Sequence, residues 1–292
     1  MKQKMTAVAV MISVMALAGC GADTPKTADK VAQDTTKTVR IATESNFKPF
    51  SYMDASGNLL GFEIDLAHAM CEQMQAQCEI ISQDWDGLIP GLNAHKFDAI
   101  MAGMSVTLDR QKVVDFSEPY FNNTLVLVAK KSDDVSIDDV NGKNVATQQA
   151  TVSADYLKEH YPQAVVKVYD KQDNAYLDLT AGRADFMLSD IVPMSDWLKS
   201  EAGTSFEIKG EPIDIGDTIA VAVRKDDKLA EELNTALTAL KANGEYDKIV
   251  AKYFDGLFDG VAVAATTSET ATSGTAPNTA TDTAPTETAS TH

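Results

Sequence analysis

The sequence predicts an α/β fold. Short apolar runs of strand length alternate with stretches of helical spacing, and such alternation argues for α/β layers. The 292 residues suffice for two modest domains or lobes. Polar, aromatic-free segments flank this patterned body on both sides.

Taken in order, Val39 to Thr43 is a short apolar strand. Ile64 to Met74 carries apolar residues at Leu66, Ala69, Met70 and Met74, a helical spacing. Cys78 to Ile81 reads as a strand, Trp85 to His95 as a helix and Asp98 to Met101 as a strand. Leu125 to Ala129 is a further strand, and Asn144 to Gln148 follows the turn signal Asn141-Gly142. Leu229, Leu233, Leu237 and Leu240 mark a helix that Asn243-Gly244 interrupts and Tyr246 to Tyr253 resumes.

The ends differ in kind. Lys2 and Lys4 precede the apolar run Ala7 to Ala18, and Leu17-Ala18-Gly19-Cys20 closes it. This is a charged region, a short hydrophobic region and small residues before a cleavage point, and it is too short to span a bilayer comfortably. Cysteine directly after Leu-Ala-Gly resembles the bacterial lipoprotein signal. That implies loss of residues 1–19 and lipidation of Cys20, with residues 20–37 as a polar tether. In a plain secretory signal Cys20 would be incidental. Residues 259–292 are rich in Thr, Ala and Ser and cannot offset their ordering entropy by burial, so a disordered tail is expected. The formal net charge of −18 makes nucleic acid an unsuitable partner. Two cysteines remain, Cys71 and Cys78, and an even count in an exported chain implies a disulfide. The alternative is zinc or redox chemistry. The intervening spacing fits neither Cys-x-x-Cys nor a finger, and His68, His95, His160 and His292 are scattered, so no metal or cofactor is expected.

The most informative stretch runs from Ala102 to Tyr120. Ala102, Gly103 and Ser105 are small enough to let a ligand approach the backbone, and Arg110 can meet a carboxylate through its planar fork. Gly103-Met104-Ser105, Arg110 and Phe116-Ser117-Glu118-Pro119-Tyr120 resemble the bacterial polar amino-acid-binding proteins of ABC importers. Val39-Arg40-Ile41-Ala42-Thr43-Glu44, Pro49-Phe50, Gly61-Phe62-Glu63-Ile64-Asp65-Leu66, Leu88-Ile89-Pro90 and Ala181-Gly182-Arg183 fall in the same order. The likeness covers Val39 to Phe254 and is greatest to arginine-binding and lysine/arginine/ornithine-binding members. Such members also carry a cysteine pair in the place of Cys71 and Cys78.

The resemblance implies a two-lobed periplasmic-binding-protein fold with a hinge and a ligand cleft between the lobes. Crossings are expected near Phe121 to Val126 and Gly216 to Ala222. Residues 38–122 with 221–258 would form lobe one, and 123–220 lobe two. It also implies that Arg110 takes the carboxylate of an α-amino acid, aided by N–H groups near Ser105 and Thr151, and that Asp190 takes the ammonium. Asp190 also fits a helix N-cap. Phe47 and Trp85 would sandwich the ligand side chain, with Glu44 at its far end. Charges at Asp84 and Asp86 argue against a deep core position for Trp85. Two aromatic faces and a carboxylate favour a guanidinium or ammonium, so arginine or lysine leads, with glutamine or histidine behind.

The chain departs from the pattern in two places. Ala102-Gly103 stands where lysine/arginine/ornithine binders have two serines. Gln148, Thr151 and Ser153 are the further lobe-two candidates; Gln148-Gln149-Ala150-Thr151 replaces a glycine-containing turn, and Ala150 disfavours positive φ, which weakens the expectation for Thr151 and Ser153. The expected function is a lipid-anchored, monomeric, extracytoplasmic solute-binding protein that delivers a basic L-amino acid to an ABC permease, without catalysis. The fold implied by the resemblance also hosts dehydratases acting on cyclic precursors of phenylalanine, for which Glu44 is the obvious spare acid. A ligand-sensing surface lipoprotein is the third reading.

Overall fold

A computed structural model describes residues 37–256. The leader, Cys20, the tether up to residue 36 and the tail lie outside the described residues, so the expectations placed on them are not addressed by it. Among the described residues no helix is long and apolar enough to cross a membrane.

Two five-stranded sheets organise the body. The first has the strand order Gln77–Ser82, Thr38–Thr43, Ala99–Ile100, Ala222–Val223, Asp115–Phe116. Its first three strands are parallel and Ala222–Val223 runs antiparallel to both its neighbours. The second has the order Val165–Tyr169, Asn144–Gln148, Phe186–Asp190, Phe121–Lys130, Phe206–Ile219. Again three parallel strands are followed by antiparallel ones. Helices pack on both sheets, giving two α/β lobes.

Two long strands join the lobes. Phe121–Lys130 leaves the first lobe and Phe206–Ile219 returns to it, and they pair antiparallel with Phe121 opposite Ile219 and Asn123 opposite Asp217. Leu125 to Ala129 are buried without alternation, as expected for a strand covered on both faces. The joint is rooted in an aromatic cluster of lobe one. Phe121 lies 5.4 Å from both Phe50 and Phe254, and Phe62 lies 4.8 Å from Phe254. Each such buried ring contributes about 1.5–3 kcal/mol by leaving water.

The helices follow their apolar faces. Phe62–Gln73 buries Phe62, Leu66, Ala67, Met70 and Cys71 along one stripe. Leu229–Ala242 buries Leu229, Leu233, Ala236, Leu237 and Leu240 in the same way. Gly244, at φ 77°, ends this run, because a left-handed residue cannot continue the helix, and Glu245–Phe254 restarts at a new angle. The expected helix Trp85 to His95 is instead a 3-10 turn, Trp85–Gly87, followed by the α-helix Leu88–Asn93. The strand Asp98 to Met101 is shorter, Ala99–Ile100. The pattern reading did not identify the lobe-two elements Val152–His160, Val165–Tyr169, Gln172–Thr180 and Ile191–Leu198. Their apolar residues are few or fall in short runs with weak periodicity.

A disulfide joins Cys71, near the end of Phe62–Gln73, to Cys78 in the edge strand, with 5.8 Å between Cα atoms. It ties one helix to one strand and closes a small loop. Replacing both cysteines with serine should cost about 2–3 kcal/mol, the loop-closure value for so short a span. Denaturant unfolding of the oxidised and double-serine proteins checks this, and equal midpoints would remove the disulfide from the stability of the body.

Candidate functional site

The lobes face one another across a cleft beside the joint, and the cleft holds a small cavity, with about 20 Å³ of space for the centre of a water-sized probe. That is room for about one water, so the lobes stand closed over the site. The residues the sequence singled out all line it: Glu44, Phe47, Trp85, Gly103, Ser105 and Arg110 from lobe one, and Gln148, Thr151, Ser153 and Asp190 from lobe two.

Arg110 is the centre of one end. It sits in the short helix Leu108–Gln111, which Thr107 caps by accepting from the Arg110 N–H. Its Nη1 donates to the Ser105 carbonyl at 2.7 Å, and its Nη2 to the Ala150 carbonyl at 2.9 Å. The guanidinium lies 5.2 Å over the Trp85 ring. Desolvation pulls its pKa down, and the carboxylates of Asp217, Asp190 and Asp155 oppose that.

Across the cleft, the chain enters Val152–His160 through Ala150 and Thr151. Ala150 adopts φ 55° although it is not glycine. The expected obstacle is therefore overcome: the residue is exposed and takes the left-handed turn at a cost of order 1–2 kcal/mol. Thr151 then caps the helix by accepting from the Ala154 N–H. The first N–H groups of that helix have no partner within it, and Val152 and Ser153 line the cavity. Arg110 and this helix start together form a place for an anion.

Asp190 lies nearby. It precedes the helix Ile191–Leu198 in the cap position, but its side chain makes no capping bond. Asp190 lines the cavity, and its carboxylate is not spent on its own helix. Its surface is partly open to the cavity, yet the surrounding protein desolvates it strongly. Desolvation, then the charge of Asp217, raise its pKa to about 7, against the opposing pull of Asn123 and Arg110.

The other end of the cavity holds Glu44, which is 3% exposed. Burial raises its pKa to about 7, opposed by a hydrogen bond from Gln148 Nε2 at 2.9 Å. Asp84 and Asp173 add negative potential there, and Lys171 offsets part of it. Phe47 and Trp85 serve both as core and as wall. Phe47 stacks on Phe50 at 5.6 Å, and Trp85 packs in a cluster with Leu88 and Met104. Trp85 is 8% exposed and lies in the core despite its charged neighbours, contrary to the expectation for it. Asp84 and Asp86 simply point outward from the turn. Gly103 fits because its φ of 59° suits glycine and because a Cβ there would collide with the Phe47 ring. Its N–H donates to the buried carboxylate of Glu63 at 2.7 Å, which also accepts from the Tyr120 hydroxyl.

Contacts between the lobes close around the cavity. Besides Arg110 to Ala150 and Gln148 to Glu44, Lys171 pairs with Asp84 at 3.0 Å and Lys48 with Asp196 at 3.6 Å. Exposed pairs of this kind are worth about 0–1 kcal/mol each. Several polar residues near the site escaped the sequence reading. Thr147, Gln172 and Ser189 complete the wall. Asp217 accepts from Ser105 Oγ at 2.9 Å and from Asn123 Nδ2 at 2.8 Å. Asp217 stands two residues before the apolar run Ile219 to Val223, and no local pattern marks it. Nothing in the sequence marks Gln172. No group of residues suited to hold a metal occurs among the described residues.

Comparison with known proteins matches this geometry. Residues 39–256 match the bacterial extracellular solute-binding proteins, family 3. The lysine/arginine/ornithine-binding periplasmic protein of Escherichia coli K12 is 39% identical over 229 residues, covering 75% of this chain and 88% of that one. ABC transporter arginine-binding protein 1 of the same organism is 36% identical over 219 residues, 74% of this chain and 90% of that one. A solved structure of a Salmonella typhimurium periplasmic binding protein with high arginine specificity superposes with a TM-score of 0.71 at 33% identity, covering 75% of this chain and all of that one. A likeness of this extent, over the whole two-lobed body, places the chain in the family: it is a bacterial extracellular solute-binding protein of family 3.

Proposed function

We propose that this protein captures a basic L-amino acid, arginine or lysine, outside the cytoplasm and presents it to the permease of an ABC importer. One observation carries the reading. The cavity and its immediate surroundings hold three carboxylates, Glu44, Asp190 and Asp217, against the single guanidinium of Arg110. An α-carboxylate suits Arg110 and the start of Val152–His160, and an α-ammonium suits Asp190. That leaves Glu44 at the far end facing two aromatic walls, and a side-chain cation supplies the missing positive charge. The named ligands of the relatives agree in class. Lipid attachment at Cys20 is part of the proposal: Cys20→Ser should move the protein from the detergent phase to the aqueous phase without changing ligand affinity, and an unchanged partition would exclude the anchor.

Arg110→Ala should lower affinity for every amino acid by at least about a hundredfold, since the ligand carboxylate is left desolvated without its partner. Calorimetry on protein stripped of co-purified ligand measures this, with circular dichroism to confirm folding. Near-normal affinity would remove Arg110 from the site.

Glu44→Gln should cost arginine or lysine about 1–3 kcal/mol and glutamine little, because only the charge is removed. Equal shifts for all three would make Glu44 structural. The same carboxylate predicts a pH dependence. Glu44 and Asp190 titrate near 7 in the ligand-free protein, and a cation beside either lowers that value. Each must then be ionised to bind, so affinity falls as pH drops below about 7, by up to about tenfold per unit for each proton released. Binding heats in buffers of different ionisation enthalpy count those protons, and Glu44→Gln should remove one. A pH-independent affinity between 5 and 8 would contradict the assignment.

A further inference from the structure

Asp217 lies outside the cavity wall, on the returning strand of the joint, and is 7% exposed. Its Oδ2 accepts two hydrogen bonds, from Ser105 Oγ at 2.9 Å and from Asn123 Nδ2 at 2.8 Å. Asn123 is its direct partner on the outgoing strand, so the carboxylate sits inside the two-strand joint between the lobes. Ser105 and Asn123 are themselves 3% and 2% exposed, which leaves no competing solvent. A serine hydroxyl has one proton and two lone pairs. With its proton committed to Asp217, Ser105 can present only lone pairs to the cavity it lines.

That polarity has a consequence for the ligand. A group resting on Ser105 Oγ must donate, so the ammonium end of an amino acid belongs there and the carboxylate end is turned away. Asp190, also acceptor-only when ionised, lies close enough to Asp217 for their charges to interact. Arg110, the one cation lining that end among the described residues, donates to the Ser105 carbonyl on the opposite side of the same residue. Ser105 is thus the point at which the anion-binding and cation-binding halves of the site meet.

We propose that Asp217 is a positioning residue that selects ligands with a free α-ammonium, by fixing the Ser105 hydroxyl as an acceptor and by placing a second negative charge behind it. The proposal rests on the amino-acid-binding reading given above. It assigns a ligand-discriminating role to a residue of the joint rather than of the cavity wall. In Asp217→Asn the side-chain amide can donate to Ser105 Oγ, which frees the hydroxyl proton to turn toward the cavity and removes the charge.

The test compares L-arginine with its α-hydroxy analogue, which carries a neutral hydroxyl in place of the ammonium, by calorimetry on the ligand-stripped full chain. Asp217→Asn should lower arginine affinity by about tenfold or more, while affinity for the hydroxy analogue holds or rises, so the ratio of the two falls. Ser105→Ala removes the link between Asp217 and the cavity and should lower the same ratio, which gives a second decision if Asp217→Asn does not fold. A loss shared equally by both ligands in either variant would make the residue merely structural and overturn the proposal. An unchanged ratio would do the same. Wild-type protein that binds no amino acid at all would instead overturn the functional reading on which this inference rests.

Discussion

Burial of excess negative charge beside one guanidinium is the constraint on which this protein turns. Glu44 and Asp190 are held near a pKa of 7, and Asp217 is also raised, because each is withdrawn from water with too few cations nearby. Arg110 is strained in the opposite sense, its charge desolvated and steadied by carbonyls of both lobes and by the acids around it. A cleft built this way is costly while its carboxylates lack counter-charges, and a ligand with net positive charge relieves that cost. On the proposed reading, affinity and selectivity then come from the same source.

The fold supplies that arrangement through its connectivity. Because the two crossing strands pair side by side, residues distant in sequence, Ser105, Asn123 and Asp217, meet at one point. The aromatic cluster around Phe254 anchors the joint in lobe one, while the cavity itself is shared by both lobes. The contacts described across the cleft, from Arg110 to Ala150, Gln148 to Glu44, Lys171 to Asp84 and Lys48 to Asp196, are polar. Such contacts favour lobes that part and close around a ligand, with φ and ψ changes concentrated in the two crossing strands.

Much of this was legible in the sequence, for identifiable reasons. Residues suited to meet the charged groups of a small molecule are of particular types at particular places, so Arg110, Asp190 and Glu44, which line one cavity, stood out within ordered motifs. Strong helical spacing marked Leu229–Ala242, and Gly244 marked its end. The Trp85 region misled because a 3-10 turn followed by a short helix shares its local spacing with one longer helix. Ala150 misled because a preference of about 1–2 kcal/mol against the left-handed region is small beside the tertiary contacts that fix the turn. Asp217 and Glu63 were passed over because their importance lies in burial and in partners far along the chain, which no local pattern reveals.

The central claim is that the cleft selects for charge and not merely for shape. Comparing L-arginine with L-citrulline tests it most directly, since the two differ little in size and citrulline carries a neutral urea in place of the guanidinium. Calorimetric titration of the ligand-stripped protein above pH 7, where the carboxylates are ionised, should give arginine an advantage of at least about tenfold, as expected for a charge-assisted contact in a desolvated site. Equal affinity, or a preference for citrulline, would contradict the account.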